Sequence, residues 1–379
     1  MKPSKSQSLL KWPGGKEREI PLIFKALPKK MENYYEPFVG SGAVFLKMSA
    51  NQYYINDKTR ELIQIYHFLK NDTKRNIFIK ELKKVDISWM KLRFFVQQEK
   101  ENLKRIYANF KESLNTSLTK EQIKDFLLTN DCFFTQLFVL PFNISFENFN
   151  IELKTNLIRK IIRMQKIEAE KGQLPENDII QNIESAIKSA FYMQMRYLFN
   201  NVDSLDFTDI EKTVLFFYIR SYAYSGMFRY NKSGEFNVPY GGIAYNEKSF
   251  EKKINFFKSS ELIEKLQKTT LGNEDFYAFL KTYPPQKNDF IFFDPPYDTE
   301  FSTYATNEFN QGDQIRLANY LIHECKAQWM IIIKKTDFIY KLYDKKDLFV
   351  LSFDKTYQVS FMNRNNKNVK HLLITNYPI

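Results

Sequence analysis

Cysteine is scarce in this chain. Cys132 and Cys325 are the only two among 379 residues, both sit among apolar neighbours, and neither belongs to a CxxC pair. That pattern excludes a disulfide framework and a zinc ribbon, and it predicts buried free thiols in a reducing compartment. The three histidines, His67, His323 and His371, are scattered, so no metal site is expected. Long hydrophobic runs are missing too. The most apolar stretch, residues 132–142, is too short to cross a bilayer and contains Pro141. The start, MKPSKSQSLLKWPGGK, lacks the apolar centre of a signal peptide. The expected setting is the cytoplasm, with no membrane partner. Glycine is also sparse, at 11 residues, so places where glycines cluster carry information.

What the chain has in abundance is positive charge and aromatic rings. The formal net charge is +12, and aromatics make up 16% of residues, with 36 Phe and 23 Tyr. A basic balance suits a polyanionic partner, since neutralising phosphates releases counterions. Charge alone does not choose between that and a merely lysine-rich composition.

Periodicity organises the rest. Residues 33–38 (NYYEPF) and 53–57 (YYIND) read as strands, with a helix expected to begin at Val44, Phe45 and Met48 and another at residues 59–69, where Leu62, Ile65, Tyr66 and Leu69 share a face. That is a βαβα beginning, which predicts a parallel sheet. Residues 71–215 carry helical spacing, for example Ile183, Ile187, Phe191 and Leu198, with an exposed loop expected at 169–178. Residues 217–245 are irregular, polar and aromatic, with a turn at 231–234. Continuous apolar runs return at 290–297, 329–335, 348–353 and 369–377, as expected for strands covered on both faces. The expected architecture is α/β, with a doubly wound sheet that the chain starts, leaves and finishes. The expected division is 1–70 with 246–379 as one domain and 71–245 as a helical insertion.

Five segments could carry chemistry. EPFVGSGAVFL, residues 36–46, places Gly40 and Gly42 in a turn after a strand, where backbone can approach a ligand; a tight structural turn would read the same way. Asp57, closing the next strand, could accept ribose hydroxyls or cap the following helix. KWPGGK, residues 11–16, lacks the P-loop spacing, which removes the main support for a kinase or ATPase. There Trp12 could face a ligand and Lys16 could meet a carboxylate, or the segment could be a plain turn with an exposed lysine. Asp294-Pro295-Pro296-Tyr297 is the strongest signal. It sets a carboxylate, proline carbonyls with no competing N–H and an aromatic face at a strand end, which suits an amino group on a stacked base. Last, Arg220, Arg229 and Lys232 alternate with Tyr222, Tyr224, Tyr230 and Phe236 in a pattern that fits phosphate contacts, guanine readout and wedging, or a hairpin with a solvated face.

Together LLKWPGGK, EPFVGSGAVFL, INDKTRELIQIY, FYIRSYAYSGMFRYNKSGEFNVPYG and FFDPPY resemble, in order, the blocks of the Dam-type, α-order adenine-N6 DNA methyltransferases. Residues 71–215 share no placeable likeness. The resemblance implies a Rossmann-like methyltransferase sheet, with the insertion and the 217–245 segment forming a target-recognition lobe. It implies S-adenosylmethionine as cofactor, double-stranded DNA as partner and N6 of a flipped adenine as acceptor. It makes Trp12, Gly14, Lys16, Glu36, Phe38, Gly40, Gly42, Asp57, Asp275, Phe276 and Asp294 cofactor contacts, with Asp57 on the ribose, Asp275 on the adenine amino group and Phe276 against the adenine ring. It makes Asp294, Pro295, Pro296 and Tyr297 catalytic. It makes Arg220, Tyr222, Tyr224, Arg229, Asn231, Lys232, Asn237 and Pro239 DNA contacts, Arg229 as a guanine reader and Tyr224 as a wedge. Two positions depart from the Dam pattern: Ser221 replaces an arginine and Ser225 an asparagine. The basic cluster usual after Tyr240 is also missing, so GATC specificity is not implied. The segment FMNRNNKNVKHLLITNY resembles the carboxyl-terminal part of restriction-associated relatives, which makes a restriction–modification system the expected setting and a cognate endonuclease a candidate partner; monomer is the default expectation. Rival readings are a methyltransferase for RNA or protein glutamine, which often carry Asn at the Asp294 position and lack GEFNVPYG, and a DNA-binding protein without catalysis.

Overall fold

The computed structural model describes residues 8–12, 14–296, 309–356 and 368–379. Seven strands form one sheet: β1 Tyr34–Glu36, β2 Tyr53–Asn56, β3 Thr269–Gly272, β4 Phe290–Phe293, β5 Gln328–Lys334, β6 Phe349–Thr356 and β7 Asn368–Thr375. Their order is β3-β2-β1-β4-β5-β7-β6, and every neighbouring pair is parallel except the two that involve β7. The FIFF run of β4 is buried throughout, which is why it reads as continuous apolar sequence. Along β5 the faces alternate: Ile331 and Ile333 join a core with Phe276, Leu317, Ala318, Leu321 and Ile339. Each such side chain contributes about 1.5–3 kcal/mol when fully buried.

β1 lies between β2 and β4, so the chain winds outward in opposite directions from this point. A crevice outside the carboxyl ends of strands at such a reversal is where open α/β sheets bind ligands. Residues 36–42, Asp57, Asp275 and Asp294 all follow the carboxyl ends of β1 to β4.

Three sequence expectations change. Val44 to Met48 do not begin a full helix; there is only a single 3₁₀ turn, Phe45–Lys47. The Lys265 ammonium donates to the carbonyls of Phe45, Leu46 and Met48 at 3.2, 3.0 and 2.5 Å, holding groups that a continuing helix would bond to its own backbone. Burial lowers the pKa of this lysine to about 8. Second, β3 is an additional strand at the sheet edge, short and paired only with β2. Third, Cys132 is exposed and Cys325 is half-buried. Cys132 turns outward because the neighbouring rings take the inside, Phe133 stacking on Phe95 at 4.2 Å and Phe134 lying 4.9 Å from it. The Cys325 thiol, in apolar surroundings, is pushed up to about 11.

By internal contacts the chain forms two compact units. One comprises residues 1–72, 228–230 and 255–379, and the other residues 73–227 and 231–254. The second is built on helices, among them Asp72–Gln98, Phe146–Lys171, Glu176–Asn200 and Asp209–Tyr222. Its centre is Trp89, fully buried, with Phe191, Tyr218, Tyr222 and Tyr240 around it at 4.4–6.0 Å. Ile183, Ile187, Phe191 and Leu198 are all buried on one face of Glu176–Asn200, and the exposed loop at 172–175 separates that helix from the preceding one. Among the described residues no helix is long and apolar enough to cross a membrane.

Candidate active site

The site in the sheet unit starts from two glycines. Gly40 and Gly42 have φ of +50° and +76°, a region that favours glycine. A Cβ on Gly40 would lie 2.9 Å from Trp12 Cδ1, and one on Gly42 would lie 2.6 Å from the Tyr66 hydroxyl. The Trp12 indole therefore packs on the glycine turn, and its ring lies 5.8 Å from that of Phe228 between centroids. The Tyr66 hydroxyl donates to Gly40 O at 3.0 Å and locks the turn from beneath.

Asp57 serves the same turn. Oδ2 accepts from the Gly40 N–H at 3.1 Å and Oδ1 from the Thr59 N–H at 2.9 Å, so one carboxylate ties the glycine turn to the start of the helix Arg60–Lys70. Burial nevertheless raises its pKa, against those bonds. A carboxylate with two N–H partners keeps acceptor capacity for hydroxyls. Asn56, fully buried, accepts from Glu274 N–H and donates to the Pro37 and Glu274 carbonyls, each at 3.0 Å, holding the ends of β1 and β3 on either side of β2.

At the end of β4 stands Asp294. Its carboxylate pairs with the Lys16 ammonium, which also donates to Gly14 O at 2.9 Å. Lys16 is buried, which excludes the reading of KWPGGK as a turn with an exposed lysine. Burial pushes the Asp294 carboxyl up and the Lys16 ammonium down, and their attraction opposes both shifts. Glu36, closing β1, is also buried and accepts from the Tyr34 hydroxyl at 2.6 Å. Burial and the nearby Asp294 raise its carboxyl well above the usual range. The Pro296 carbonyl accepts from Gln314 Nε2 at 3.0 Å, and Gln314 is fully buried. Tyr297 lies outside the described residues, as does the whole FMNRNNK segment, residues 361–367.

Asp275 caps the helix Phe276–Thr282, accepting from Tyr277 N–H at 3.0 Å, and pairs with Arg316 at 2.7 Å. Burial would raise this carboxyl, but those partners hold it below its ordinary value. Phe276 is buried beside Phe38 and Phe309, with ring centroids 5.5 and 5.9 Å away.

The segment after the helix Asp209–Tyr222 divides into struts and exposed groups. Arg220 is fully buried and donates to the carbonyls of Met227 and Gly226 at 2.6 and 3.2 Å. Tyr222 is buried in the Trp89 core and donates to Lys248 O at 3.1 Å. At these two positions the cationic and aromatic chemistry that would suit a phosphate or a base satisfies loop carbonyls and fills a core. Tyr224, by contrast, is 49% exposed. It opens a tight turn with Ser225 at φ +53° and Gly226 at +65°, closed by Met227 N–H to Tyr224 O at 3.0 Å. Asn231 Oδ1 accepts from Ser233 and Glu235 N–H and forms the turn expected at 231–234. Lys232 and Pro239 are exposed, while Arg229 and Asn237 are half-buried.

The D12 class N6 adenine-specific DNA methyltransferases match this chain over residues 12–168 and 146–359. The chain belongs to that family. It is similar to the type II methyltransferase M.CviBI of Paramecium bursaria Chlorella virus NC1A, 34% identical over 45% of this chain and 63% of that protein. It is similar to the retron Ec67 DNA adenine methylase of Escherichia coli, 37% identical over 41% of this chain and 50% of the relative. With a DNA adenine methylase of Vibrio cholerae serotype O1 it shares 24% identity over 95% of this chain and 93% of the relative. The chain thus spans about half to under two thirds of the first two relatives.

For a D12-class methyltransferase the sheet unit brings together Trp12, Gly14, Lys16, Gly40, Gly42 and Asp57, and it pairs Lys16 with Asp294. Several supporting residues escaped the sequence reading. Asn56 sits unmarked inside the INDKTRELIQIY block, Lys265, Gln314 and Arg316 lie outside any motif, and only their contacts identify them. Behind Lys16 lies another such layer. Lys355 on β6 pairs with buried Glu19 at 2.6 Å, and His371 on β7 is pushed down to about 3 by its burial and by Lys355, Lys16 and Lys334. His371 is therefore a neutral wall at working pH.

Proposed function

We propose that this protein transfers a methyl group from S-adenosylmethionine to the N6 amino group of an adenine flipped out of duplex DNA. The observation that carries the reading is the pairing of the buried Lys16 ammonium with the half-buried Asp294 carboxylate at the carboxyl end of β4, beside the β1 glycine turn and at the point where the sheet reverses.

The residues present fit the cofactor. The turn at Gly40 and Gly42 admits no side chain, Asp57 keeps acceptor capacity for ribose hydroxyls, and the buried Glu36 carboxyl is a group that an ammonium would return to its charged form. Bound there, S-adenosylmethionine supplies an electrophilic methyl group. Flipping is required because an amino group in the stack cannot reach it, and it costs a few kcal/mol. The exocyclic amine is a poor nucleophile because its lone pair is delocalised into the ring. Asp294 and the Pro295 carbonyl accept its two hydrogens, and Tyr297 stacks on the base, so that the lone pair is aimed. Lys16 keeps Asp294 ionised in a setting that disfavours charge. Catalysis is positioning and electrostatics, with no covalent intermediate on the protein.

Tyr224 is the wedge and Arg229, Asn231, Lys232, Asn237 and Pro239 are the DNA contacts; Arg220 supports the Tyr224 turn and Tyr222 the core of the helical unit. The type II names of some relatives favour a restriction–modification setting with a cognate endonuclease as partner. Incubating unmethylated DNA with the protein and methyl-labelled cofactor, followed by nucleoside mass spectrometry, tests the reading. Label in N6-methyl-2′-deoxyadenosine is expected; label only in a cytosine, or in RNA or protein supplied alongside, overturns it.

A further inference from the structure

On the reading above, Asp275 and Phe276 receive the adenine of the cofactor, the carboxylate its amino group and the ring its flat face. Both are already engaged by one side chain. Arg316 Nη2 is 2.7 Å from Asp275 Oδ2, and the same guanidinium lies over the Phe276 ring, with Cζ 4.8 Å from its centroid. Elsewhere the ring is enclosed by Phe38 and Phe309, and the residue is only 2% exposed. The Arg316 side chain is 42% exposed, so it can leave without disturbing the core. Its helix, Gln311–Asn319, is anchored separately, by the Asn310–Asp313 capping box and by buried Gln314, Leu317 and Ala318. Asp313, 2.9 Å from the same nitrogen, offers the displaced guanidinium a partner on its own helix.

We propose that Arg316 is a gate at the adenine end of the cofactor site, closed over Phe276 and Asp275 when the site is empty and displaced when the cofactor binds. The argument is steric before it is electrostatic: a planar base and a planar guanidinium cannot occupy the same ring face. The closed state gains a cation–π contact and a partly exposed ion pair. Each is worth little in water, so the gate tunes affinity and does not forbid binding. The identity of the residue matters: Lys would keep the charge but lose the flat group that covers the ring.

The test is calorimetric titration of the full-length protein with S-adenosylmethionine and with 5′-methylthioadenosine, which carries the adenine end without the amino acid. Arg316→Ala is expected to tighten both ligands by about three- to tenfold, and Arg316→Lys by less. Because the pair that closes the gate is screened by salt, the wild type should bind the uncharged thioadenosine more tightly as salt rises, and Arg316→Ala should respond less, with the Lys58 ammonium, 3.7 Å from Asp275, left to screen. Unchanged or weaker binding in Arg316→Ala, with Asp275→Ala still weakening both ligands, overturns the gate. Binding untouched by Asp275→Ala overturns the adenine-site reading on which the gate rests.

Discussion

The two compact units use buried charge in opposite ways. In the sheet unit, Lys16 and Asp294 are held against each other at a strand end where the sheet reverses, with Glu36 and Asp57 at the neighbouring strand ends. In the helical unit, Arg220 spends its guanidinium on the Gly226 and Met227 carbonyls, and Lys188, fully buried, bonds Glu184 and the Asn246 carbonyl beneath the Trp89 ring. A buried ion pair opening on a crevice can serve a reaction. A buried cation whose partners are its own loop's carbonyls is a strut. Burial and partner identity, more than residue type, separate the two.

The difference can be broken experimentally, and the largest effect belongs to the sheet unit. Asp294→Ala should lower turnover by roughly a thousandfold or more, since it removes the acceptor for the amine, and should also lower the melting temperature, because it leaves the buried Lys16 ammonium without its carboxylate. Steady-state methylation beside thermal unfolding checks this. Lys16→Met should follow. Burial raises the Asp294 carboxyl and Lys16 opposes that rise, so losing Lys16 lets the carboxyl climb further. The acid limb of the kcat profile should then move to higher pH, measured across about pH 5 to 9.

In the helical unit the expected losses are of stability. Arg220→Ala should destabilise by about 1–3 kcal/mol because two loop carbonyls lose their donor in the interior. Tyr224→Ala, on the exposed side of the same turn, should change stability by about 0.5 kcal/mol or less while weakening DNA binding. Denaturant titration and DNA-binding curves on both variants would sharpen the distinction; equal stability losses would erase it. The smallest effect is expected at Ser225, which sits at positive φ, where asparagine is more at ease. Ser225→Asn should stabilise by about 0.5 kcal/mol, detectable as a shifted denaturant midpoint.

Much of the sheet was legible because β1, β2 and β4 end in motif residues and β5, β6 and β7 contain apolar runs. β3 was not, because Thr269 to Gly272 is four residues long and carries no apolar run. The helix expected after Gly42 shrank to one turn because Lys265, over 200 residues away in sequence, takes its carbonyls. Short-range periodicity carries no trace of such a partner. At Arg220 and Tyr222 interleaved basic and aromatic residues look alike whether they face a phosphate or a core, and the contacts with the Met227 carbonyl and the Trp89 ring are written in neither residue type. Lys16 was read with two outcomes open, and its burial against Asp294 decides between them.

The most direct measurement is modification-sensitive sequencing of unmethylated genomic DNA after incubation with S-adenosylmethionine and either the wild type or Asp294→Ala. The account predicts N6-methyladenine in one short motif with the wild type and none with the variant, the motif itself showing whether Ser221 and Ser225 have moved specificity away from GATC. Equal methylation by both proteins, or modification of a base other than adenine, would contradict it.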